Sequence, residues 1–192
     1  ISLMAQQILS IVSTVFGVCA LTFFLIGCIG FSSTQTTIKH IAWITIDDNG
    51  FEVWFGLAKL YYQVNGQDGL TAYNNCGSDY CDDCEKDGLS AFGLLIVSTV
   101  FALVSAALSG ALSASFSAGL QMGNIAASFV SASLALIGFG LFMGNCYSKV
   151  DDSVDADLEW GPGSILVCLG VIMMYLVTVM QLAAMMVGPA VK

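Results

Sequence analysis

Hydropathy divides the chain into long apolar runs separated by two polar, charged stretches. Residues 1–38, 88–148 and 160–191 contain no Asp, Glu, Lys, Arg or His. Within those runs, four segments predict membrane spans: Ile8–Phe31, Ser90–Leu112, Leu120–Met143 and Ser164–Val187. Each has 23 or 24 residues, and at about 1.5 Å rise per residue reaches roughly 35 Å, enough for a ~30 Å hydrocarbon core. The second and third are joined by "SASFSAG", a short polar turn that predicts an antiparallel helical hairpin. An even number of spans puts both termini and this turn on one side. Both charged loops, about 32–89 and 144–163, then lie together on the other side. The first span is not expected to be a signal peptide, because it lacks a basic leader and exceeds the usual apolar run of about 7–15 residues. The chain reads as one four-span membrane domain, 1–192.

Composition agrees with that pattern. The sequence is 57% hydrophobic and 10% charged, whereas a soluble domain carries about 25% charged residues. Arginine is absent and the net charge is −9, so no nucleic-acid partner is expected. The positive-inside rule points the wrong way for an outward loop: Lys39, Lys59, Lys86 and Lys149 lie on the loop side and only Lys192 on the other. Four lysines spread over so many residues are a dilute signal, and cysteine usage outweighs it. Cys76, Cys81, Cys84 and Cys146 form an even set confined to the loops, which suits an oxidising compartment. The expected placement is the plasma membrane, with cytoplasmic termini and extracellular charged loops.

The stretch "NCGSDYCDDCEKDG" (residues 75–88) allows several chemistries. Zinc would need a second CxxC or a pair of histidines, and the one histidine is His40. A redox CxxC belongs at the start of a helix in a soluble βαβ unit, a context missing here. An EF-hand beginning at Asp83 would put its twelfth ligand at Leu94, where a bidentate glutamate is required. Two disulfides are the preferred reading, with no metal and no cofactor expected. Cys146 lies three residues past the third span and Cys84 six before the second, its hairpin partner. Cys84, or Cys81 next, is therefore the natural partner of Cys146. The remaining two would close a small ring, although four cysteines allow three pairings.

Ahead of the cysteines, the first loop reads "IKHIAWITIDDNGFEVWFGLAKLYYQV". β-Branched and aromatic residues flank Asn49-Gly50, a strong signal for a hairpin turn. Strands are predicted near 38–47 and 51–64, with a short third near 70–75. The predicted fold class is an all-α four-helix transmembrane bundle with a small extracellular antiparallel β-sheet formed by the first loop. The tryptophans and tyrosines of that loop read as packing residues and interfacial anchors.

This arrangement resembles the claudin superfamily, which includes the peripheral myelin and epithelial membrane proteins and the calcium-channel γ subunits. The family signature is a tryptophan, then Gly-Leu-Trp, then two cysteines in the first loop. Trp43 stands for the first tryptophan, and "WFGLA" (Trp54, Gly56, Leu57) for Gly-Leu-Trp, with Ala58 where tryptophan is expected. Cys76 with Cys81 or Cys84 stands for the cysteine pair, set further along than in the family pattern. The chain is claudin-like, similar to a distant branch such as the amastin-type surface proteins. Tetraspanins fit less well because their large loop is the second. The ending "GPAVK" lacks the PDZ-binding tail of many claudins.

Inside the spans, Gly119/Gly123 and Gly140/Gly144 have GxxxG spacing. Such small residues let helix backbones approach closely. Packing within one bundle is the preferred reading, with assembly between protomers as the sharper one. Gln6, Gln7, Gln121, Asn124 and Gln181 are expected at one depth as hydrogen-bonding glue worth about 0.6 kcal/mol each. Cys19, Cys28 and Cys168 read as small hydrophobes. No ionisable acid, lysine or histidine lies in a span, which argues against active transport, and no nucleophile–base pair suggests an enzyme. The expected function is a structural, adhesive membrane protein that assembles laterally, as a homo-oligomer or within a larger membrane complex. The resemblance to γ subunits implies an auxiliary channel or receptor subunit as the alternative. A cation-favouring barrier or pore is the third reading, since the loops carry net charges of −6 and −4.

Overall fold

The computed structural model describes residues 2–32, 34–48, 51–64, 66–77, 79–153 and 157–187. Four helices are long and apolar enough to cross a membrane: α1 (Ser2–Ile29), α3 (Asp79–Ala114), α4 (Ala118–Leu141) and α6 (Pro162–Val187). A π-helical segment, Phe142–Tyr147, and the short α5 (Ser148–Ser153) continue α4 beyond the expected end of its span. In cross-section α1 packs on α3 and α6, and α4 packs on the same two, closing a four-helix bundle.

Each helix turns a seam of residues spaced three or four apart into the centre. On α3 it runs Cys81, Cys84, Gly88, Ala91, Leu95, Ser98, Ala102, Ser105, Ser109 and Leu112, all buried. This alternating spacing keeps one face against its neighbours, as in coiled coils. It also explains why α3 starts at Asp79 and not near 90. The seam continues through the cysteine stretch, and Asp82 and Asp83 in the opening turns complement the positive end of the helix dipole. Two of the cysteines expected in a loop, Cys81 and Cys84, are thus helical.

The seams are small and polar. Ser98 and Ser131 each donate to the other's backbone carbonyl at 2.8 Å. Asn124 accepts from Ser105 at 2.7 Å and donates to Ser109 at 2.8 Å. Ser128 bonds Thr178 at 2.8 Å, Gln121 donates to the Gln181 carbonyl at 2.9 Å, and Gln6 to that of Ala184 at 3.2 Å. Gln6, Gln121 and Asn124 bond across the helices near one end of the bundle, as expected, and three details change. The bonds extend along the bundle through serines, Gln7 is exposed, and Gln181 contributes its backbone carbonyl while its own buried amide has no partner among the described residues.

Of the GxxxG glycines expected to pack within the bundle, Gly140 and Gly144 do not. Gly119, Gly123, Gly140 and Gly144 all lie on the exposed side of their helix, outside the α4 seam. A Cβ built on Gly140 or Gly144 meets nothing within 4 Å. Gly123 borders α3, with an added Cβ 3.5 Å from Leu108, and at Gly138 an added Cβ would stand 3.2 Å from the Ala91 carbonyl oxygen. The reason is register: glutamine, asparagine, serine and alanine already occupy the inward positions.

The polar stretches build a five-stranded antiparallel sheet of order β4-β3-β2-β1-β5. Its strands are β1 (Ile44–Asp48), β2 (Phe51–Phe55), β3 (Lys59–Val64), β4 (Gln67–Ala72) and β5 (Leu158–Trp160). Asp48 pairs with Phe51, and the turn residues Asn49 and Gly50 between them lie outside the described residues, as does the tail 188–192. Four expectations change. Gln35–Ile41 is a short helix, α2, burying Ile38, where the strand 38–47 was expected to begin; Thr34 at its N-cap bonds Ser32 and Thr37. The run 51–64 is two strands, broken at Gly56. The third strand begins at Gln67 and ends before a 3-10 turn, Tyr73–Asn75. Finally, the second loop adds β5 beside β1, with Ile44 opposite Trp160.

A close approach between Gly88 and the Leu57 backbone sets where the sheet sits, because a Cβ on Gly88 would overlap the Leu57 carbonyl. Gly88→Ala is expected to lower the thermal midpoint in detergent, with an overpacking cost of about 1–3 kcal/mol. Gly93→Ala, on the same helix but facing open space, should be neutral or stabilising by up to about 1 kcal/mol. Equal shifts for the two variants would contradict this packing.

Candidate functional site

Three of the residues that carry the family resemblance meet where the sheet joins the bundle. Trp43, fully buried just before β1, donates from its indole Nε1 to the Gly27 carbonyl of α1 at 3.3 Å. Its ring meets Phe142 edge-on at 5.4 Å between centroids, and its backbone carbonyl accepts from Gly161 at the start of α6, at 2.9 Å. One residue thereby touches the end of α1, the α4 extension and the residue preceding α6. Gly56 and Leu57 supply the second joint. The Leu57 amide donates to the Gly30 carbonyl at 2.8 Å, and a Cβ on Gly56 would stand 2.6 Å from that same oxygen. Only glycine permits this approach. Tyr73 completes the joint by donating its hydroxyl to the Gly56 carbonyl at 2.6 Å. Burial, with Tyr80 as a lesser contributor, pushes its phenol well above the usual range, so it stays a neutral donor.

Trp54 belongs elsewhere. It is half-buried on the opposite face of the sheet, stacked on its cross-strand neighbour Tyr61 at 5.0 Å, with the Lys39 ammonium 4.6 Å from the ring centroid. This is strand packing with a cation–π contact.

The four loop-associated cysteines clamp this junction from α3. Cys84 and Cys146 stand at disulfide distance, Cα atoms 4.7 Å apart, fastening α3 to the π-helical segment. Cys76 and Cys81 stand likewise at 6.2 Å, tying the 3-10 turn after β4 to the first turn of α3. Cys19, Cys28 and Cys168 are unpaired and half-buried.

Between the sheet and the start of α3 lies a cavity of about 400 Å³. Strand alternation places Ile46, Phe51, Val53, Phe55, Leu60 and Tyr62 on the one face that lines it. Asn75, Cys76 and Tyr80 form the opposing wall. Phe51 remains 38% exposed. Among the described residues the lining is apolar apart from a few hydroxyl and amide groups, and it suits an uncharged, largely apolar group. Of these residues sequence reasoning singled out Cys76 alone, as a disulfide cysteine and not as a cavity wall. The available signal was the alternation Ile44-x-Ile46, Phe51-x-Val53-x-Phe55 and Leu60-x-Tyr62, which gives the face but not the gap left on it.

Peptide mapping without reductant is expected to recover a Cys84–Cys146 link joining the two loops, and a separate Cys76–Cys81 link. By loop length the first should contribute about 4 kcal/mol and the second about 2 kcal/mol, so replacing the Cys84/Cys146 pair by serine should lower the midpoint more. Free thiols at all four positions would refute both pairs. Among known proteins, no family model and no curated protein matches the chain.

Proposed function

We propose that the protein is a structural, adhesive membrane protein of claudin-like type that assembles laterally with copies of itself. The sheet, in this reading, stands outside the cell and the helices lie in the plasma membrane. The observation that carries it is the apolar cavity on an immobilised sheet. Two cystines, the Trp43 joint and the Gly56–Leu57 joint hold that sheet against the bundle, so the cavity is presented without an ordering cost on binding. An apolar side chain of a neighbouring copy is a suitable occupant. Cystines at this end of the bundle support an oxidising, outward side. The exposed glycines of α4 give the same neighbours a flat surface in the bilayer plane.

The test is self-association in mild detergent and in native membranes. Thr71→Trp, which fills the cavity, should reduce cross-linked oligomer at least tenfold. Gly140→Leu should weaken association while leaving the monomer's thermal midpoint unchanged, because the added side chain meets open space within the protomer. A wild type that is monomeric at every concentration, or that is recovered only in fixed ratio with a larger channel, defeats this reading; the second result favours the auxiliary-subunit alternative.

A further inference from the structure

A second cleft, of about 280 Å³, lies beside the Cys84–Cys146 pair. Asp83, Lys86 and Asp87 line it from α3, Asn145 from the π-helical segment and Lys149 from α5. On α3 the three charged residues are spaced to share one face, and Asn145 and Lys149 are four apart. Two lysines and two aspartates therefore converge on one space, with no ion pair within 4 Å joining them among the described residues.

Depth identifies what such a cleft meets. The charge-free run of α3 begins at Gly88, and that of α4 and its extension ends at Ser148. Lys86, Asp87 and Lys149 are thus the first charges beyond the apolar belt, at the level where lipid headgroups lie if the four helices cross a bilayer. Ser90, Gly93 and Val97 continue the α3 face towards the belt, and all three are exposed. The open space at Gly93 leaves an uncharged track leading away from the cleft.

We propose that this cleft binds the headgroup of a zwitterionic phospholipid whose cation is a primary ammonium. Lys86 and Lys149 hold the phosphodiester, Asp83 and Asp87 take the ammonium, and Asn145 donates its amide to a phosphate oxygen. The balance of charges selects this class. An anionic headgroup would leave two carboxylates facing it, and a divalent cation would leave two lysines. A quaternary ammonium has no N–H to give the carboxylates, and the cleft lacks the aromatic walls that recognise such a group. One acyl chain then lies along Ser90, Gly93 and Val97. The inference rests on the helices crossing a bilayer and is independent of self-association.

The full-length protein in detergent is the material for the test. Native mass spectrometry and thermal shift would compare phosphatidylethanolamine, phosphatidylcholine and phosphatidylglycerol, with soluble glycerophosphoethanolamine as a fourth arm. Phosphatidylethanolamine is expected to bind at least tenfold more tightly than the other two lipids. Lys86→Gln with Lys149→Gln should abolish that advantage, and Lys86→Arg with Lys149→Arg should keep it. Asp83→Asn with Asp87→Asn should shift the preference towards phosphatidylglycerol, a gain that loss of folding cannot mimic. Equal binding of the three lipids, or a preference unchanged by either charge-neutralising pair, would overturn the proposal. Binding of glycerophosphoethanolamine as tightly as the lipid would overturn the lipid as the source.

Discussion

The sheet is held to the bundle by backbone contact, and that contact requires glycine. Leu57 can reach the Gly30 carbonyl only because Gly56 has no side chain there, Gly30 leaves room for the Trp43 indole, and α3 can pass Leu57 only because residue 88 has no side chain either. Gly161 and Gly163 meet Ala42 and Trp43 under the same constraint. Hydrophobic burial alone would permit the sheet to slide over the helix ends, since the effect is non-directional. Close glycine contacts fix one position, and the hydrogen bonds of Trp43, Leu57 and Tyr73 satisfy the polar groups buried there. The two cystines then act on a geometry already set.

Within the bundle, serine, asparagine and glutamine do the joining that leucine would do in a soluble protein. Lipid solvates leucine as well as another helix does, so apolar side chains gain little by turning inward. Small hydroxyls gain short contacts and a bonded partner, and the pairs Ser98–Ser131 and Ser128–Thr178 do both. Many large apolar residues face out: Ile8, Val15, Leu103, Ile137 and Val179 are each about half exposed or more, while Phe24, Leu95 and Met174 are buried. Gln181, with a fully buried amide, and Ser13, with a buried hydroxyl, remain exceptions without a partner among the described residues.

Four apolar helices were legible in the sequence because hydropathy and length suffice to define them. Their true ends were not. The α3 seam passes from Leu95 through Ala91 and Gly88 to Cys84 and Cys81 without a break, but Gly and Cys among acids read as a loop when hydropathy is the measure. The β1–β2 hairpin was legible from composition, whereas α2 was hidden by Ile38 and Ile41, which suit a strand equally well. Strand β5 could not be found locally: three residues of the second loop become a strand only because β1 offers an unpaired edge. At the site, Trp43, Gly56 and Leu57 were legible as a motif, yet their shared role at one joint appears only once α1 and α3 are brought beside them. The cavity left no signature, being the space between elements and not a property of any one of them.

The separation of internal and external residues has a functional consequence. A bundle joined through inward serines and amides does not depend on its outward face for stability, so that face is free to vary or to bind. Gly140 and Gly144 lie there, unused by the fold. The sheet repeats this division: one face carries Trp54, Tyr61 and Lys39 packed upon each other, and the other leaves its apolar residues around an open cavity. Filling that cavity from within would have required only larger side chains at Thr71 or Asn75, and leaving it open forfeits van der Waals contacts that a neighbour's side chain can restore. The glycine joints and the cysteines at disulfide distance fix the sheet, and the outward helix face and the open cavity are left unused by the fold.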